Sequence, residues 1–199
     1  MNDPDIPPGW SYNPASWRQR MPIIALAIIG FVIATYLALY QYKVVDTVWD
    51  PFFKDGSQII LESNISTIIE RYLHLPITDG ALGAFSYLLD AIAGVIGGRS
   101  RWRTMPWIVV MFGLLVGPLG GVSVLLVILQ PVQLDAWCTL CLTTAAISIA
   151  MIGPAMDEFL ASLQHLKRVS LAGGSVWRAF WGLSDRSPGA GSRPSVATL

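Results

Sequence analysis

The sequence predicts an all-α membrane protein: a bundle of four transmembrane helices with an amphipathic helix in its outer loop. Three observations predict it. Of 199 residues, 53% are hydrophobic and only 13% charged, whereas a soluble domain carries about a quarter charged residues to solvate its surface. Four apolar runs approach the length that crosses a hydrocarbon core. Lysine and arginine collect on one side of the alternating segments that those runs define.

Taken in order, residues 2–20 are a polar, proline-rich lead in which Trp10, Tyr12 and Trp17 suit the membrane interface. Residues 21–42 carry no charge and span. This run is too long for a signal-peptide core, follows an acidic start and has no small-x-small cleavage site, so it is expected to be retained. Residues 43–78 are mixed and lie outside the hydrocarbon. Within them Leu61, Ile65, Ile68, Ile69 and Tyr72 recur at three- and four-residue spacing, the apolar stripe of a helix that lies on the bilayer or caps the bundle.

Residues 80–98 are the second span, broken only by Asp90. Residues 104–129 are the third. Splitting it at Pro118-Leu119-Gly120-Gly121 leaves halves too short to cross, so one kinked helix is expected, with glycines that permit close helix contact. Residues 136–153 are the fourth, ended by Pro154. Beyond it Met156, Phe159, Leu160, Leu163 and Leu166 form a second stripe that packs or anchors. Val176, Trp177, Phe180 and Trp181 dip into the interface, and the Gly/Ser/Pro-rich stretch from Ser184 reads as disordered. The chain thus divides into a lead (1–20), a four-span bundle (21–154) and an amphipathic and disordered tail (155–199).

Orientation follows from charge. With four spans, ten basic residues share one side: Arg18, Arg20, Arg99, Arg101, Arg103, Lys167, Arg168, Arg178, Arg186 and Arg193. Only Lys43, Lys54 and Arg71 lie on the other. Both termini are therefore expected in the cytoplasm. Thirteen acids balance thirteen bases, so no net field attracts nucleic acid.

Chemistry concentrates in Asp135-Ala136-Trp137-Cys138-Thr139-Leu140-Cys141, which holds the two cysteines of the chain. Cysteines three apart share a helix face, and the first turn of a helix favours a thiolate. Asp135 is placed to act as N-cap and oppose that effect. Two small apolar residues packed in a helix are the alternative; a position at the outer end of a span, in an oxidising compartment, favours a redox pair. Zinc needs two further ligands that His74 and His165 do not supply. Asp79 either caps the second span or faces a ligand beside the cysteines. Asp90 is a candidate functional carboxylate within a span, although reaching Arg99, Arg101 or Arg103 is the favoured reading.

Cys138-Thr139-Leu140-Cys141-Leu142-Thr143-Thr144, opening a fourth span, resembles the active-site segment of the vitamin K epoxide reductase family, in its bacterial type. The segment from Ala81 through Gly83 to Tyr87 is similar to the start of that family's second span, and Gly30 through Tyr36 and Leu37 to its first. The resemblance covers residues 21–153. It implies a bundle around a quinone (menaquinone or ubiquinone), in a bacterial cytoplasmic membrane, with Cys141 facing the quinone and Cys138 exchanging outward. It also implies that Asp79, Gly83, Tyr87, Thr144 and Ala145 line the quinone site; Asp79 stands near a quinone-polarising amide, and Ala145 where several members have tyrosine. The family's second cysteine pair in the outer loop is missing, with Gly56 near where one of them belongs. An external thioredoxin-like dithiol protein would then meet Cys138 directly. The alternative is a non-catalytic membrane module that keeps the fold and serves a partner.

Overall fold

The computed structural model describes residues 5–63 and 77–183, and these residues form helices joined by turns, with no strand among them. In chain order the helices are α1 (Trp17–Gln41), α2 (Gly56–Leu61), α3 (Asp79–Val95), α4 (Arg101–Thr104), α5 (Pro106–Leu134), α6 (Thr139–Leu171) and α7 (Val176–Phe180). Three of them, α1, α5 and α6, are long and apolar enough to cross a membrane. At 17 residues, α3 rises about 25 Å, roughly a turn less than the hydrocarbon thickness.

The main core is drawn from all four long helices: Ala27 and Ala34 of α1, Tyr87 of α3, Phe112 of α5, Ile147 and Met151 of α6. The pairs α1–α3 and α5–α6 pack most extensively. Gly30 is what lets α1 meet α3, since a Cβ there would lie 2.7 Å from the Tyr87 ring. Large apolar side chains also point outward, among them Ile28, Val32, Leu114 and Leu125, and on α3 Phe85, Leu88 and Ile92. Such an outer surface suits lipid rather than water.

Prolines do not end these helices. Helix α5 runs unbroken through Pro118 and Pro131, in keeping with one helix rather than two halves. Helix α6 passes through Pro154 to Leu171, which corrects the expectation that Pro154 terminates it. Each proline forfeits one backbone hydrogen bond, but Met151 and Ala155, both 1% exposed, hold the flanking turns in the core. Past Pro154 the inward face is Ala155, Glu158, Ala161 and Ser162. Of the predicted stripe, Leu160 and Leu163 are exposed, while Phe159 lies against Gly113 of α5, where a Cβ would come within 2.6 Å of its ring.

One end of the bundle is tied together by arginines. The Arg20 guanidinium, 1% exposed, donates to the carbonyls of Gly94, Ile96 and Gly97 at the C-terminus of α3. Those carbonyls have no intrahelical partner, and a cation there also meets the helix dipole favourably. Arg101 forms a buried bidentate pair with Glu158. The sequence expectation that Asp90 reaches the arginine turn is corrected for this residue. Glu158 presents both oxygens to the fork from the facing helix, and Asp90 Oδ1 stays buried without a hydrogen-bond partner. The lead is packed down: Asn13 donates to Arg99 O at 2.8 Å, Tyr12 to Asp157 at 2.6 Å, and Arg168 to Pro8 O at 2.7 Å. The cysteines lie at the opposite end, since the twenty residues of α6 between Cys138 and Glu158 rise about 30 Å. Residues 65–72 of the predicted outer-loop helix and the stretch from Ser184 lie outside the described residues; Leu61 closes the short helix α2.

Candidate thiol–disulfide site

Helix α5 ends at Leu134 with Asp135 as its C-cap, whose φ of +48° is left-handed, and residues 136–138 run to the start of α6. Asp135 is therefore the C-cap of one helix rather than the N-cap of the next, correcting the sequence reading. Three residues separate it from the first turn it was expected to cap. Cys138 occupies the N-cap, its sulfur accepting from the Cys141 N–H at 3.0 Å. The two cysteines form a disulfide with Cα atoms 5.2 Å apart, within the ordinary range.

The carboxylate that serves this helix start comes from the loop. Asp50 accepts from the Thr139 N–H at 3.1 Å and from the Thr139 hydroxyl. It also accepts from the Ser57 hydroxyl at 2.6 Å and from the N–H groups of Phe52 and Phe53 at 3.0 and 2.9 Å. Burial pushes the Asp50 carboxyl up, but these hydrogen bonds outweigh it and hold the group well below the usual carboxylate range. Asp50 thereby fastens α2 over the disulfide. Gly56 is the point of closest approach, where a Cβ would collide with the Trp137 carbonyl. Cys138 is 0% exposed, enclosed by Ile60, Ala136 and Leu134. Its N–H donates to the buried Gln130 side chain at 3.3 Å.

Cys141 is half-buried and lines a cavity of about 130 Å³ between α1, α3, α5 and α6. Asp79, Gly83, Tyr87 and Thr144 line the same cavity, so the structure brings four of the five predicted pocket residues together with Cys141. Ala145 is buried and is not among the lining residues. Asp79 turns to the cavity because Thr78 caps α3, accepting from the Ala81 N–H at 3.3 Å. The Tyr87 hydroxyl donates to Thr144 O at 2.7 Å and meets Ser148 Oγ at 2.7 Å.

Two lining groups that sequence reasoning missed are Gln41 and Gln130. Gln41 Oε1 accepts from the Gly80 N–H at 3.0 Å, which leaves Nε2 buried without a partner. Asp79 Oδ1 is orphaned in the same cavity. Buried polar atoms are seldom left unsatisfied. The lining thus offers an acceptor atom an already oriented donor in Gln41 Nε2.

The model of the vitamin K epoxide reductase family matches residues 21–155. The chain belongs to the vitamin K epoxide reductase family. No curated protein and no solved structure matches it. Members of the vitamin K epoxide reductase family are membrane oxidoreductases that couple thiol–disulfide exchange to quinones. With three apolar helices of spanning length, this member is an integral membrane protein.

Proposed function

We propose that this chain is a membrane thiol–quinone oxidoreductase, passing electrons from a partner dithiol through Cys138 and Cys141 to a quinone. The observation that carries the reading is that Cys141 shares one cavity with the orphaned Gln41 Nε2 and Asp79 Oδ1. A quinone there would be held by Gln41 and Asp79, and it supplies a two-electron, two-proton acceptor. The chain's own residues do the rest. A partner thiolate attacks Cys138 Sγ, and Cys141 leaves as thiolate into the cavity. The partner's second thiol resolves the mixed disulfide, leaving Cys138 and Cys141 reduced for re-oxidation on the Cys141 side.

Burial of Cys138 sets a condition on this route: α2 has to lift before a partner sulfur arrives. In this reading α3 is the fourth span, its outward Phe85, Leu88 and Ile92 facing lipid, and residues 21–154 form the bundle between lead and tail. The arginine end and both termini face the cytoplasm of a bacterium, with the disulfide on the far side, where a secreted thioredoxin-like protein would meet it.

The test is reduction of a soluble quinone by purified protein given a reduced dithiol protein, comparing wild type with Cys141→Ala. Equal rates exclude the enzyme. Full burial of Cys138 and a loop without cysteine favour a second reading, a non-catalytic module that keeps the fold for a partner. Reversible reduction of the disulfide by dithiothreitol without quinone coupling would select it.

A further inference from the structure

Asp90 takes part in none of the steps above. It lies three turns beyond Asp79 on the same face of α3, about 16 Å along the axis. It is 5% exposed and its Oδ1 has no hydrogen-bond partner. With Ser86, Tyr87, Ser123 and Ser148 it lines a second cavity of about 80 Å³. Asp79, Gly83 and Tyr87 belong to both cavities, so the two form one furrow from Asp90 to Cys141. Arg101, in the turn that follows α3, is engaged by Glu158. A buried carboxyl at this depth, with Oδ1 unpartnered, is suited to taking up and giving up a proton.

We propose that Asp90 delivers a proton along this furrow to the quinone site, a role that rests on the thiol–quinone reading. Oxidation of the Cys138/Cys141 dithiol to its disulfide releases two electrons and two protons. Conversion of a quinone to its quinol consumes two of each. The electrons leave through Cys141, but the protons need not travel with them. The 80 Å³ cavity has room for several waters at about 15 Å³ each. Together with the Ser86, Ser123 and Ser148 hydroxyls they connect Asp90 to the Tyr87 hydroxyl, which Ser148 Oγ already meets at 2.7 Å. Asp90 is five residues from the end of α3, so it reloads from the arginine side.

The test uses the full chain in nanodiscs, treated with dicyclohexylcarbodiimide, which attaches to protonated buried carboxyls, and mapped by mass spectrometry. Asp90 is expected to be modified, with reduction of a short-chain ubiquinone falling at least tenfold. The disulfide is expected to be reduced by dithiothreitol at the untreated rate. Asp90→Asn is expected to lower kcat at least tenfold with the quinone KM unchanged, and Asp90→Glu to restore most of it. Modification with full activity, no modification at Asp90, or wild-type kcat in Asp90→Asn each overturns the proton role and leaves the thiol–quinone reading standing. Untreated wild type that reduces no quinone overturns both. If Asp90→Asn does not fold, the carbodiimide experiment on wild type decides, with the loss of activity followed against the extent of modification at Asp90 and at Asp79 separately: loss that tracks Asp79 alone overturns the proton role.

Discussion

Asp50 and Thr139 are joined twice, the carboxylate accepting from both the N–H and the hydroxyl of a residue 89 positions away. One loop side chain thereby caps α6 and, through Ser57, holds α2 against the disulfide.

Removing that carboxylate exposes the site. Hydrogen bonds to a charged group contribute about 1.5–3 kcal/mol, so Asp50→Ala is expected to favour the lifted state of α2 by at least tenfold. Reduction of Cys138–Cys141 by dithiothreitol should accelerate by that factor, read by trapping the freed thiols with maleimide. An unchanged rate would show that α2 does not limit access to Cys138.

Acid should act through the same group. An aspartate free in the unfolded chain titrates near pH 3.9, and the hydrogen bonds hold Asp50 below that value in the fold. Its stabilisation is therefore complete above about pH 4 and fades as pH falls toward the folded value. Reduction of the disulfide by a water-soluble phosphine, which works in acid, is expected to speed up below about pH 4 relative to an unfolded cysteine-pair peptide. In Asp50→Asn that acid dependence should be absent.

Gly56 separates packing from chemistry in the loop. A side chain there meets the Trp137 carbonyl, and overpacking of this kind costs about 1–3 kcal/mol. Gly56→Ala and Gly56→Cys are both expected to lower the thermal midpoint by several degrees, followed by tryptophan fluorescence in detergent. A cysteine placed there would thus disturb α2 before it relayed electrons. Unchanged midpoints would place the loop farther from Trp137 than described.

What was legible in the sequence is what lipid imposes locally. Hydrocarbon demands long uncharged runs, so α1, α5 and the Cys138/Cys141 start of α6 could be read off directly. What was missed depends on distant partners. Asp135 is the nearest acid to the cysteines by number, yet Asp50 caps the helix. Asp90 is the nearest acid to the arginine turn, yet Glu158, 57 residues from Arg101, pairs with it. Side-chain periodicity carries no trace of such pairings. The orphaned amide of Gln41 is visible only once Gly80 has taken its oxygen.

The Arg101–Glu158 pair makes its own prediction. Both side chains are within 2% of full burial, and removing one partner from a buried pair costs about 3–5 kcal/mol because the other charge is stranded. Arg101→Met and Glu158→Leu are each expected to unfold the arginine end or sharply reduce the yield of folded protein. The double variant should recover most of the loss, since an apolar pair of similar volume replaces two desolvated charges. A double variant as unstable as the worse single one would mean that Arg101 acts mainly on the carbonyls of Ala93 and Ile96, the latter 2.9 Å from its Nη1.

Gln41 offers the most direct probe of what the cavity holds. Its Nε2 is buried without a partner while its oxygen is held by Gly80, so an acceptor atom entering the cavity gains a donor that is already oriented. A neutral hydrogen bond of this kind contributes about 0.5–1.5 kcal/mol. Gln41→Leu removes the donor and relieves the orphan, so the fold should be as stable or slightly more so while quinone binding weakens about three- to tenfold. Quenching of tryptophan fluorescence by a short-chain quinone measures that affinity without turnover, and kcat should change less than KM. Unaltered affinity would mean that the quinone oxygen sits elsewhere in the furrow, nearer to Asp79 or to the Tyr87 hydroxyl.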